Sequence, residues 1–334
     1  MSAIGELTSS PVITRYPQNP VLSSQDVPYD ASLIFNAGVV KQDGRYVMAF
    51  RNDYGFDSSG KHKTNMGLAY SDDGIAWQVE PEPIFPVELL GLSDARRAYD
   101  PRLMRLEGRW ALTFATDTDH GVRAGIALTG DFKTWQIKHI SLPENRNVVL
   151  FPRKINGKYM RLDRPFPIYS RPEPEAFDIW LSVSPDLVYW GESKLLLGVE
   201  DVPFSNRKIG PGAPPIELDE GWLVFFHAVD WDDSRGKNGW EDAWKKRYTA
   251  GVMLLDKDDP TRILGMYDKP LIAPEAPYET QEGFRTNVIF PTGAVLEDDG
   301  DVKIYYGAAD TVIALATANV RDLVGLCLDS TNYG

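Results

Sequence analysis

The stretch "RNVVLFPRKINGKYMRLDRP", residues 146–165, holds six Arg and Lys side chains in a chain of 334 residues whose formal net charge is −13. Arg146 and Arg164 flank it, and Lys208 in "RKIGPG" is a third candidate cation. A guanidinium offers a planar fork of N–H donors that matches a phosphate, and an ammonium adds a point charge. Three such cations brought together without an acidic partner repel one another, so their convergence implies a bound anion. The alternative is surface pairing with Glu144, Asp163 or Asp201. A second chemical candidate is Asp100 in "YDPRL". Set between an aromatic ring and a proline, this carboxyl is expected to be partly desolvated, which raises its pKa and keeps it protonated as an acid. A turn aspartate capping the Asp-Pro bend is the plainer reading. A carboxylic acid beside a glycosidic oxygen suits glycosyl transfer. An inverting hydrolase also needs a second carboxylate, about 6.5–9.5 Å away, to activate water. Phosphate dianion needs no base, so an acid opposite an anion cradle reads as phosphorolysis. A mouth of Trp, Tyr and carboxylates that binds sugar without catalysis is the reading from another class.

The elements that must position these groups recur five times. A Gly-containing turn feeds an alternating apolar run in "DGRYVMAFRND" (43–53), "EGRWALTFATD" (107–117), "NGKYMRLDRP" (156–165), "EGWLVFFHAVD" (220–230) and "DGDVKIYYGAAD" (299–310). Each reads as a hairpin turn entering a strand, preceded by another short apolar segment and followed by a third strand with a Ser/Asp-rich corner. Four outer-strand candidates follow, and the fifth is missing from the C-terminal end. Residues 18–30, "QNPVLSSQDVPYD", mimic 268–279, "DKPLIAPEAPYE". The pattern predicts an all-β fold, a five-bladed β-propeller closed by an N-terminal strand in the last blade, as one domain over residues 1–334. Innermost strands then carry Asn36, Asp100, Arg146 with Asn147, Lys208 and Asn287 to the axis. Second strands end in Arg51 with Asp53, Asp117, Arg164, His227 and Asp310. Gly44 to Arg51 and Gly157 to Arg164 are both seven residues, which places two arginines at one height. The segment "GWEDAWKKRY" (239–248) predicts a helical turn or two with Trp240 and Trp244 on one face, or a loop insertion beside the mouth.

Composition excludes several classes. Cys327, alone in "VGLCLD", reads as a buried inert thiol, so no disulfide is expected. Four His with no paired His or Cys at ligand spacing argue against a metal site. No cofactor is expected beyond inorganic phosphate as co-substrate. A pI near 4.8 argues against nucleic acid or an anionic membrane as partner. The N-terminus lacks a basic segment followed by an apolar one, and no run reaches the roughly 18 apolar residues of a membrane span, so a cytoplasmic location is expected.

The markers "FNAG", "FRND", "YDPRL", "RNVVLFPRKINGKY", "RPF", "KIGPGAPPI", "RYTAGVMLLD" and "YYGAADT" give the chain, over nearly its whole length, a sequence that resembles glycoside hydrolase family 130, the inverting β-mannoside phosphorylases. The resemblance implies a five-bladed propeller with Asp100 as catalytic acid and phosphate ligands at Arg146, Asn147, Arg164, Lys208 and Tyr248. It implies mannosyl contacts at Asn36, Arg51, Tyr99 and Asp310, with Phe290 as a wall. Members lacking the basic set are hydrolases, and this sequence keeps it. The implied reaction releases α-mannose 1-phosphate and a shortened sugar; in some members the proton is thought to pass through the mannose 3-hydroxyl. The implied partners are a small oligosaccharide and phosphate, and a homo-oligomer is compatible, since many relatives self-associate. The segments "FPIYSRPEPEAFDIW" after Pro165, "YGFDSSGKHKTN" (54–65) and "DWDDSRGKNGWEDAWKK" (230–246) depart from the manno-oligosaccharide enzymes and are expected to wall the acceptor side, where His120 reads as either an acceptor contact or a surface-loop histidine.

Overall fold

The computed structural model describes residues 4–167, 169, 171, 176–235 and 244–329. The five Gly-turn repeats become five antiparallel sheets set around one axis, with strands in chain order except where the N-terminal strand joins the fifth. In blades 1 and 2 the inner hairpin joins Leu33–Gln42 to Arg45–Tyr54 and Ala95–Leu106 to Arg109–Thr118. Their two-residue loops have positive φ at both positions, Asp43 with Gly44 (52° and 78°) and Glu107 with Gly108 (49° and 78°). That is the mirror-image turn whose twist matches paired strands. Asn156 and Gly157 repeat it in blade 3, between Asn145–Leu150 and Tyr159–Pro165.

The Ser/Asp-rich corners also have a common cause. Ser71-x-Asp73, Thr129-x-Asp131 and Ser184-x-Asp186 each close the turn after a third strand. The hydroxyl accepts from the backbone N–H three residues on, and the carboxylate from two N–H groups beyond it. Such side-chain mimicry of a backbone turn is local, so three blades bend alike. Blade 4 is built from Lys208–Pro211, Trp222–Trp231, Lys246–Leu255 and Ile263–Met266, with Ile216–Glu217 pairing beside the first. Apolar faces pack between neighbouring blades: Val149, Leu162, Ile209, Trp222 and Phe226 share one buried cluster across blades 3 and 4.

Blade 5 contains Ile289–Leu296, Asp301–Ala308 and Val312–Asn319, and its outer strand is Thr14–Arg15. Thr14 and Arg15 pair with Thr317 and Ala316, and of the segment 18–30 only Leu22 forms a bridge, to Ile313. Arg15 then clamps a buried acid. Its Nε and Nη2 donate to Glu279 at 2.8 and 3.0 Å, the Tyr306 hydroxyl donates at 2.8 Å, and the N–H groups of Glu275 and Ala276 donate to the second oxygen. Glu279→Ala loses every one of these bonds and leaves Arg15 with Glu275 (2.9 Å) and the Ala273 carbonyl (2.6 Å); a stability loss of about 3 kcal/mol is expected. Denaturant unfolding checks it: the midpoint should fall with an unchanged slope.

Two differences from the sequence reading stand out. Residues after Asn319 form a helix, Val320–Leu328, capped by the Asn319 side chain, which accepts from Arg321 N–H. Leu323, Val324 and Cys327 fall on its inner face, and burial pushes the Cys327 thiol up to about 12. Of the two readings of 239–248, the helical turn does not form among the described residues: Trp244 and Lys245 are irregular, as in the loop reading, a strand begins at Lys246, and 239–243 lie outside the described residues.

Candidate active site

One backbone device repeats at the axis. In the first strands of blades 1, 2 and 3, pairing slips between Phe35 and Gly38, Tyr99 and Arg102, and Arg146 and Val149. Within each slip one residue stands in the left-handed region: Asn36 (φ 53°), Asp100 (54°) and Asn147 (59°). Asn and Asp tolerate that conformation better than other side chains, and a bulge re-aims its residue out of the pleat. Asn36 thereby donates Nδ2–H to Asp100 Oδ1 at 2.9 Å, and Arg51 Nη1 donates to the same oxygen at 3.2 Å. Asp100 Oδ2 accepts from no described group. Gly307 makes the approach possible, because a Cβ there would come within 2.4 Å of Asn36 Oδ1.

These groups line a chamber of about 80 Å³, together with Arg146, Asn147, Arg164, Tyr248, Phe290 and Asp310. It shares Arg51, Arg146, Tyr248 and Asp310 with a wider cleft of about 960 Å³, on which Tyr99 and Lys208 also border. Eleven of the twelve site residues named from the sequence therefore meet in two adjoining cavities. The exception is His120. It sits on the exposed turn before Gly121–Thr129, 3.0 Å from Asp94, and borders neither cavity.

For Arg146 and Arg164 the surface pairing considered from the sequence does not form among the described residues. Asp163 takes Arg161 at 3.0 Å, and among the described residues no carboxylate pairs with Arg146 or Arg164. Arg164 donates only to His227 Nε2, at 3.2 Å; its Nε and Nη2, and Arg146 Nε, are buried without a partner. Burial, then the nearby Arg146, pushes the Arg164 guanidinium down to about 9, still a cation at neutral pH. His227, fully buried beside these arginines, is held well below its ordinary range and is neutral. Two carboxylates beside the arginines are already engaged, Asp310 with Arg285 (3.3 Å) and Asp53 with Arg51 (2.6 Å). Positive charge in excess of its partners is a prepared anion site.

Asp100 departs from expectation. Burial does push its carboxyl upward, but Arg51, Arg102, the Asn36 hydrogen bond and Arg146 outweigh burial, and the group lies below the ordinary carboxylate value. Asp310 goes the other way, since burial exceeds the pull of Arg285 and Arg51.

Several residues at the site fall in segments the sequence reading quoted but were given no individual role there. Arg102 donates Nη1–H to the Asp100 carbonyl (2.8 Å) and Nε–H to Gly212 of blade 4 (3.1 Å). Trp244 stacks on Tyr248, centroids 5.9 Å apart, and donates to the Thr286 carbonyl. At the rim, Phe56 stacks on His62 (4.7 Å) and lies 5.9 Å from Phe284, so the 54–65 loop does border the cleft. His62 is held between Asp53 and Arg97. For the bulge residues a sequence signal existed, an Asn or Asp inside an apolar innermost strand. For Arg285, Trp244 and His62, which come from loops, no repeat carries one.

A family model described as beta-1,4-mannooligosaccharide phosphorylase matches residues 10–329. The chain belongs to glycoside hydrolase family 130. Within family 130 it is 36% identical over 322 residues to the beta-1,4-mannooligosaccharide phosphorylase of Ruminococcus albus, covering 94% of this chain and 90% of the relative. A solved beta-1,2-mannobiose phosphorylase from Listeria innocua, in complex with beta-1,2-mannobiose, superposes with a TM-score of 0.78 at 25% identity, covering 94% and 99% of the two chains. A structure described with family-130 hydrolases that target beta-1,2 mannosidic linkages in Candida mannan shares the fold, with a TM-score of 0.75 at 23% identity over 92% and 94% of the two chains.

Proposed function

We propose that the protein cleaves β-mannosides by inverting phosphorolysis. Asp100 gives its proton to the glycosidic oxygen as the C1–O bond breaks, directly or through a sugar hydroxyl. A phosphate oxygen bonds C1 from the opposite face, so the β-mannoside becomes α-D-mannose 1-phosphate and a shortened sugar. Inorganic phosphate is the co-substrate, held by Arg146, Asn147, Arg164, Lys208 and Tyr248. Asn36, Arg51, Tyr99, Asp310 and Phe290 surround the mannosyl ring. The observation that carries this reading is the pair of buried arginines, Arg146 and Arg164, that keep unpartnered N–H groups beside a single open carboxylate oxygen. An activated water would need a free base instead, and Asp310 is tied to Arg285. The test is incubation with β-1,2- and β-1,4-linked manno-disaccharides, with and without phosphate. Phosphate-dependent mannose 1-phosphate supports phosphorolysis; free mannose without phosphate supports hydrolysis.

An acid must hold its proton, and Asp100 begins with a low affinity for one. Bound phosphate cancels part of the positive field of Arg146, and a mannosyl ring displaces water, so both steps raise the Asp100 pKa. A group whose pKa rises on binding takes up a proton. Adding a non-cleavable thio-linked mannoside to phosphate-loaded protein at pH 7 should therefore consume protons. Calorimetry in buffers of different ionisation enthalpy reads the uptake, and Asp100→Asn should abolish it. Equal uptake in both proteins counts against the assignment.

A further inference from the structure

The three cations assigned to phosphate share an aromatic neighbour. Phe166 follows Tyr159–Pro165 and Phe177 precedes Ile179–Ser184; their rings stack with centroids 4.8 Å apart and planes 5° from parallel. The Arg146 guanidinium lies 5.5 Å from the Phe166 centroid, and that of Arg164 lies 5.2 and 5.3 Å from Phe166 and Phe177. The Lys208 ammonium is 5.6 Å from Phe177. Each distance falls within the range over which a ring face attracts a cation.

The backbone ties the stack to the strands that bear the charges. Phe166 N–H donates to the Glu144 carbonyl at 3.1 Å, two residues before Arg146. Phe177 N–H donates to Arg207 (3.2 Å) and its carbonyl accepts from Ile209 N–H (2.9 Å), the residues on either side of Lys208. The ring pair thus bridges blades 3 and 4 where the cations meet.

Crowded like charges need compensation. A carboxylate would supply it but would also occupy the N–H donors and repel an incoming anion. A ring face attracts the cation and takes none of its donors, which agrees with the open Nε and Nη2 of Arg164. We propose that the Phe166–Phe177 stack is the positioning element of the phosphate site, holding Arg146, Arg164 and Lys208 together while the open donors of the two arginines stay directed to the anion. The inference rests on the phosphorolytic reading above.

Phe166 is half-buried, so Phe166→Leu should keep the fold, and circular dichroism checks that it does. We expect it to raise the KM for phosphate about tenfold and to weaken phosphate binding in calorimetry, without mannoside, by a similar factor. The KM for the mannoside should not change, and Phe166→Tyr, which keeps the ring face, should behave as wild type. Unaltered phosphate binding in Phe166→Leu, a parallel rise in mannoside KM, or a Tyr variant as impaired as Leu overturns the inference while leaving phosphorolysis in place. A wild-type protein that binds no phosphate overturns both.

Discussion

Asp100→Asn is expected to lower kcat by about a hundred- to ten-thousand-fold, the range over which a positioned acid accelerates proton transfer. The amide cannot release a proton to the leaving oxygen, yet it keeps the size and αL tolerance that the bulge at φ 54° requires. Its carbonyl oxygen still accepts from Asn36 and Arg51, so the chamber should keep its shape. Binding of phosphate and of a thio-linked mannoside should therefore survive while turnover is lost. A substrate with a good leaving group, such as an aryl β-mannoside, should recover most of the rate, because departure then needs no proton. Wild-type turnover of a manno-disaccharide by Asp100→Asn, or no recovery with the aryl substrate, would place the acid elsewhere.

The second large effect concerns Arg164. Arg164→Met should raise the KM for phosphate about ten- to a hundredfold, the worth of a charged hydrogen bond of about 1.5–3 kcal/mol. The same variant should resist denaturation at least as well as wild type. In the ligand-free protein this guanidinium is fully buried, is pushed down to about 9 by burial and Arg146, and has two donors unpartnered. Replacing such a charge by an apolar side chain of similar length removes a desolvation cost that the Phe166 and Phe177 rings and His227 offset only in part and the bound anion offsets further. Lys208→Ala should weaken phosphate use in the same direction. Unchanged phosphate KM with lowered stability in Arg164→Met would mean the arginine is structural, and the anion site with it.

What could be read in the one-dimensional chain, and what could not, follows the range of the forces involved. The five-fold repeat was legible because its causes are local: mirror-image turns at Asp43-Gly44 and Asn156-Gly157, and hydroxyl-x-carboxylate corners at Ser71, Thr129 and Ser184. The pairing of Arg164 with Asp163, left open by the sequence reading, fails for a local reason, since strand alternation puts Asp163 on one face with Arg161 and not with Arg164. The rest depended on charges carried by other blades. Tyr99 and Pro101 alone predict a desolvated Asp100 with a raised pKa; Arg51, Asn36 and Arg146, distant in the chain and adjacent in space, reverse the sign together with Arg102 of the same strand. Likewise the stack of Phe166 on Phe177 meets Lys208, and Trp244 beside Tyr248 meets the Thr286 carbonyl, only once blades 3, 4 and 5 close around the axis. Turns and bulges are written in neighbouring residues, whereas an electrostatic field sums over every charge that ring closure brings near, and adjacency in the ring is set by packing between blades.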